Sequence, residues 1–210
     1  MFKKKFIETT KGLKIGPGMD KNTFIGPVVS KKALNRLLDQ IQKGIDEGAN
    51  LILDGRGVKV PRYENGYFLG PCVFENAKPG MEVYDEEAFG PVNCLDRVDS
   101  LDEAIKIINE NPKGNAVTLY TESGEEARHF RYNINCGNIG INIGVVAPIA
   151  WFPFAGAKDS FIGTLRGQGR EAVQFFTQAR CIIERFHKDR CYIAFLFDLI
   201  FHVFGTLQVT

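Results

Sequence analysis

Three histidines, one tryptophan and five cysteines make a thin supply of metal-binding and redox side chains for 210 residues. The cysteines stand at 72, 94, 136, 181 and 191 with no CxxC spacing, and their number is odd. That pattern excludes a disulfide framework and a structural zinc site, and it fits a reducing cytoplasm. Neither charge dominates, with 26 basic against 25 acidic residues. No basic block is long enough for a nucleic-acid footprint, and Lys3-Lys4-Lys5 reads as a solvated terminus. A secretion signal is missing too, because the basic start MFKKKF runs into polar IETTKG instead of an apolar core.

Long apolar runs are absent until Cys191–Val209, CYIAFLFDLIFHVFGTLQV, which approaches a membrane span in length. Asp198 and His202 would sit near its middle, each costing a few kcal/mol when charged. Their i, i+4 spacing could face two ligands one way, but two ligands do not make a metal site. A segment covered by a partner, or one without proper structure, is the plainer reading, and a membrane is not expected to be a partner.

The remaining composition, 44% apolar and 24% charged, is globular and long enough for one core. Ser30 can cap a helix whose apolar positions, Ala33, Leu34, Leu37, Leu38, Ile41 and Ile45, recur at helical spacing until Gly48. LILDG follows as a short strand, then Tyr67–Glu75 as a strand interrupted at Pro71, then Pro91–Val98. Ser100 and Glu103 form a capping box opening the next helix. Asn115–Thr121 (strand), Ser123–Tyr132 (helix) and Gly137–Asn142 (strand) continue the rhythm. Such alternation predicts an α/β fold of parallel βαβ units with right-handed crossovers, with function beyond the carboxyl ends of the strands. After a Gly- and aromatic-rich stretch, Arg170–Gln178 reads as a short helix and Ala179–Phe186 as a strand.

Chemistry concentrates in YDEEAFGPV, residues 84–92. A carboxylate can accept both hydroxyls of a ribose while a ring two residues on presses against a flat heterocycle. A solvated acidic loop beside a core phenylalanine would look the same.

Context separates the two. GPVVS at 26–30, GYFLGPCVF, YDEEAFGPV, NPKGNAVTLYT, GNIGIN and WFPFAGAKDSF…GQGREAVQFFTQARCIIERF follow one another in the order and spacing of the carboxyl-terminal part of the aldehyde dehydrogenase superfamily. The resemblance covers roughly residues 8–186, and PFAGAKDSF with GQGREAVQFFTQ is most similar to the acylating methylmalonate-semialdehyde dehydrogenase branch. It implies a partial catalytic domain over 8–178, preceded by a leader at 1–7, with a subunit-pairing strand at 179–186 and an unrelated linker and tail at 187–210. It also implies NAD as cofactor and CoA as co-substrate. Glu87 would bind the nicotinamide ribose and Phe89 would hold the nicotinamide ring. Phe154 and Asn142 would line the aldehyde tunnel.

The departures are equally specific. The family reaction needs a cysteine thiolate to attack the aldehyde. That cysteine normally precedes the segment resembling GPVVS, yet none of the 25 residues before Gly26 is Cys. The five cysteines present read as small buried hydrophobes, so no catalytic residue is expected here. The glycine-rich dinucleotide turn, the oxyanion asparagine and the substrate-carboxylate arginines of the family are also missing. The expectation is a fragment of an NAD-dependent CoA-acylating dehydrogenase, inactive alone. Alternatives are an interaction module that pairs with itself or a full-length paralogue through 179–186, and the carboxyl-terminal half of a split enzyme. The apolar tail would then be read-through or a frameshift.

Overall fold

A computed structural model describes residues 2–154 and 156–185, with the backbone of 193–196 and 205–208. The chain divides into two compact units, 1–104 and 105–210.

The first unit begins with helix α1 (Phe2–Lys11), where the sequence suggested only a solvated leader. Phe2 and Phe6 stack at 5.8 Å, and Lys3 contacts Glu75 at 2.5 Å. Helix α2 (Lys31–Asp46) starts where Ser30 accepts from Ala33 N at 3.1 Å, which satisfies an otherwise orphaned first-turn donor. It leads to β1 (Asn50–Leu53), β2 (Cys72–Glu75), the single turn α3 (Glu82–Asp85) and β3 (Val92–Leu95). The three strands form one sheet in the order β1-β2-β3, with β1 antiparallel and β3 parallel to β2. The strand expected over Tyr67–Glu75 is shorter, because Pro71 has no N–H to give and the ladder starts only at Cys72.

The core of this unit joins the apolar face of α2 to the sheet. Leu37, Ile41, Leu69, Cys72 and Phe74 are buried together with Ala49, Ala77 and Val83. Each large side chain removed from water here stabilises the fold by about 1.5–3 kcal/mol. Gly44 is required by this packing, since a Cβ there would lie 2.9 Å from Val83 Cγ1.

Helix α4 (Leu101–Glu110) runs across the boundary between the units. Ser100 Oγ accepts from Glu103 N at 3.1 Å, and Glu103 reaches back to Asp99 N at 2.9 Å, one residue before the box partner expected. The second unit holds β4 (Lys113–Gly114), β5 (Ala116–Leu119), α5 (Gly124–Asn133), β6 (Asn138–Ile141), β7 (Ala157–Lys158) and α6 (Gly169–Phe176). β5 and β6 are parallel and joined through α5, a βαβ unit as the rhythm predicted, while β4 pairs antiparallel with β7. Lys158 Nζ donates to the carbonyls of Ile108, Asn109 and Asn111, closing the carboxyl end of α4 with a positive charge.

Residues 179–185, expected to be part of a strand, take no regular structure in the single chain. A β-prone segment needs a ladder partner, and no described segment pairs with it. Phe186, Asp198 and His202 lie outside the described residues. β8 (Ile193–Leu196) and β9 (Gly205–Gln208) pair antiparallel, Ile193 opposite Gln208. No helix among the described residues is long and apolar enough to cross a membrane.

Candidate functional site

Glu87 and Phe89 lie on the extended loop between α3 and β3. Both side chains face solvent, and the Phe89 ring is 73% exposed. The loop leaves α3 at Glu86 in extended conformation and then turns through Phe89, whose φ of 45° is left-handed. A non-glycine residue there is held against a cost of about 1–3 kcal/mol. No hydrogen bond or ion pair engages the Glu87 carboxylate among the described residues. The loop therefore presents one unused carboxylate and one uncovered ring, two residues apart. It sits at the amino end of β3, not beyond the carboxyl end that the βαβ rhythm pointed to.

The loop's support comes from α2. Arg36 Nη2 donates to Ala88 O at 2.9 Å, and Gln40 Nε2 donates to Glu86 O at 3.0 Å. Gly90 lies so close to Leu37 that a Cβ would stand 2.7 Å from Leu37 Cδ1. Sequence reasoning did not pick out Arg36 or Gln40. One signal was available: Gln40 is a polar residue inside the apolar stripe Leu37–Ile41–Gly44, and it is buried.

The other two expected site residues belong to the second unit. Asn142 follows β6 directly, at a φ of 57°. Its carboxamide is engaged with the backbone of Thr121, donating to Thr121 O and accepting from Thr121 N, both at 2.9 Å. In effect it adds one rung to the β5–β6 ladder. Phe154 borders an open cavity of about 390 Å³ with Val117, Thr118 and Asn138, in which Asn142 takes no part. The structure thus brings Glu87 and Phe89 together on one loop and gives Asn142 and Phe154 separate surroundings.

Cys72 and Cys94 do not have the surroundings of a nucleophile. Burial, reinforced by the Asp96 carboxylate, pushes the Cys94 thiol up to about 11. Burial also raises Cys72, against an opposing hydrogen bond from Gly55 N to its sulfur at 3.3 Å. A reactive cysteine needs the opposite, an electropositive and accessible setting that favours thiolate. Cys136 is half-buried and Cys181 exposed, and Cys191 lies outside the described residues. The described residues contain no group of three or more metal-ligating side chains.

Comparison with known proteins gives this loop its setting. The family model for the aldehyde dehydrogenase family matches residues 1–182, and so includes α1 as well as the EEAFGP loop. A malonate-semialdehyde dehydrogenase of Lacticaseibacillus casei is 42% identical over 189 residues, which is 90% of this chain and 38% of that protein. The acylating mitochondrial methylmalonate-semialdehyde dehydrogenase of Arabidopsis thaliana is 44% identical over 181 residues, 86% of this chain and 30% of that one. Among solved structures, a Sinorhizobium meliloti 1021 protein described as a methylmalonate-semialdehyde dehydrogenase and complexed with NAD superposes with a TM-score of 0.85 at 37% identity, over 89% of this chain and 38% of the other. The chain therefore spans less than two fifths of the length of these relatives, and over nearly all of its own described length it belongs to the aldehyde dehydrogenase family.

Proposed function

We propose that this chain is part of an NAD-dependent, CoA-acylating semialdehyde dehydrogenase, to which it contributes the nicotinamide-side contacts and not the reacting thiol. The observation that carries this reading is the Glu87–Phe89 loop. An aromatic ring left uncovered, on a residue held at positive φ, beside a carboxylate with no partner among the described residues, is a poor choice for stability and a good one for a ligand with a flat ring and a diol.

In that role Glu87 accepts hydrogen bonds from the two ribose hydroxyls, and Phe89 packs on one face of the nicotinamide. Together they orient the ring toward the aldehyde carbon. Bound there, NAD would accept the hydride that leaves the thiohemiacetal carbon, and CoA would take the acyl group from the resulting thioester. Phe154, on the wall of its cavity, and Asn142 are proposed for the aldehyde tunnel, with malonate or methylmalonate semialdehyde as the substrate class suggested by the relatives. With Cys72 and Cys94 buried and held as thiols, the chain by itself should not turn over aldehyde.

Two measurements on the purified chain separate these parts. Titration with NAD, followed by saturation-transfer NMR on the nicotinamide protons, should show binding that weakens in Glu87→Gln and Phe89→Ala. Binding unaffected by both substitutions would remove the assignment of the loop. Incubation with methylmalonate semialdehyde, CoA and NAD should produce no NADH, whereas turnover lost on thiol alkylation would show that a cysteine of this chain reacts.

A second reading is favoured by the surface of the second unit. Phe175, Phe176, Ile182 and Ile183 are all exposed around the segment expected to pair with another subunit. A homo-oligomer, or docking onto a full-length dehydrogenase through residues 179–186, would cover them. Co-purification with such a dehydrogenase, abolished by deleting 179–186, would support this role.

A further inference from the structure

The backbone carbonyls on either side of Glu87 are both held by side chains of another element. Glu86 O accepts from Gln40 and Ala88 O from Arg36, and Gln40 Nε2 also lies 3.4 Å from Glu82 O at the start of α3. Arg36, Leu37 and Gln40 share one face of α2. On that face Leu37 supplies the surface against which Gly90 closes. The short loop from 86 to 90 is thus fixed at three points, two by hydrogen bonds and one by contact.

Gln40 is only 2% exposed, and its Oε1 is buried without a partner. A carboxamide in that place is costly compared with an apolar side chain of similar volume. Its two donated bonds both go to the segment that ends in Glu87 and Phe89. Arg36, by contrast, is solvent-exposed and would be free to wander if Ala88 O did not hold it. Fixing the carbonyls at 86 and 88 fixes the peptide plane that enters Glu87 and the one that enters Phe89, and between the latter and the close approach of Gly90 the chain passes through Phe89 at positive φ.

We propose that Gln40 and Arg36 are positioning residues for Glu87 and Phe89, setting the backbone from which the carboxylate and ring project. This rests on the reading of Glu87 and Phe89 as cofactor contacts. The two residues touch no reacting group and act through the loop alone.

The test is ¹⁵N relaxation on the full chain, which reads loop order without any ligand. Gln40→Met keeps the length of the side chain and removes its donor, and Arg36→Ala removes the other bond. In the double variant the order parameters at 87–89 should fall from a rigid value near 0.85 to under about 0.6. Those of Cys72–Glu75 should not change, and Arg36→Lys should restore part of the order lost in Arg36→Ala. If Gln40→Met does not fold, Arg36→Ala at its exposed site carries the same comparison. Order at 87–89 unchanged in folded variants overturns the proposal. A parallel NAD titration should show roughly tenfold weaker binding in the double variant, the loss expected from removing about one hydrogen bond's worth of positioning. A loop that loosens in a chain whose unmodified form binds no NAD would keep the clamp and reject the cofactor reading. A loop that stays rigid rejects the clamp whether or not NAD binds.

Discussion

Phe89, proposed above as a ring contact, combines an exposed side chain with a left-handed backbone. Its ring is mostly exposed, so removing it forfeits little burial, and its φ of 45° is a region that glycine enters freely. Phe89→Gly relieves about 1–3 kcal/mol of strain, offset in part by the greater freedom glycine has in the unfolded chain. The expected result is a melting temperature unchanged or slightly raised, together with weaker NAD binding. A clear fall in melting temperature would mean that the ring packs on something it does not touch in the structure. Cys94 gives a second prediction at this scale. Its folded-state pKa is raised to about 11, against about 8.5 in an unfolded chain. A raised folded pKa means that its contribution is complete below the unfolded value and is lost as pH climbs toward 11. Wild-type stability should therefore fall more steeply than that of Cys94→Ala between those pH values, as read from denaturation midpoints. At pH 8 a thiol reagent should label Cys181 well before Cys94 or Cys72.

Among the elements, α2 carries the most weight, because it packs the core with one side and holds the loop with the same residues. At Gly44 it packs against Val83 of α3 with no room for a Cβ. Gly44→Ala gains about 1 kcal/mol in helix propensity but forces a methyl into Val83, at a cost of about 1–3 kcal/mol. We expect a net loss of about 1 kcal/mol, recovered when Val83→Ala is added, with thermal melts as the measurement. A stabilised single variant would show that α3 gives way freely. This helix was also legible from sequence, from the Ser30 cap through the stripe Leu34–Ile45. So were the βαβ rhythm and the Ser100 cap, because capping and periodicity are local. What could not be read were facts set by distant contacts. The strand at Tyr67–Glu75 shrank because ladder pairing, not composition, decides where it starts. The grip of Arg36 and Gln40 on a loop 46 or more residues away leaves no local trace beyond a misplaced polar residue. Glu87 and Phe89 were singled out through a motif, while their exposure and the left-handed turn came only from the fold.

At the scale of the whole chain, charge and exposed apolar surface bear on association together. With 26 basic and 25 acidic residues, long-range repulsion between copies is weak. Near the end of the described residues Phe176 is 80% exposed and Ile183 92% exposed, and residues 179–185 have unpaired backbone. A β-prone segment in that state offers a ladder edge to another chain, and natural edges are commonly blunted by lysine. Ile183→Lys adds a charge where an apolar side chain now faces solvent, so it should not disturb the core of either unit. If residues 179–185 mediate self-association, sedimentation equilibrium of this variant should shift toward the 23.5 kDa of one chain, with unchanged far-UV circular dichroism. An assembly of the same mass as wild type would mean that contact is made elsewhere, and the exposed aromatics of α6, Phe175 and Phe176, would be the next surface to substitute.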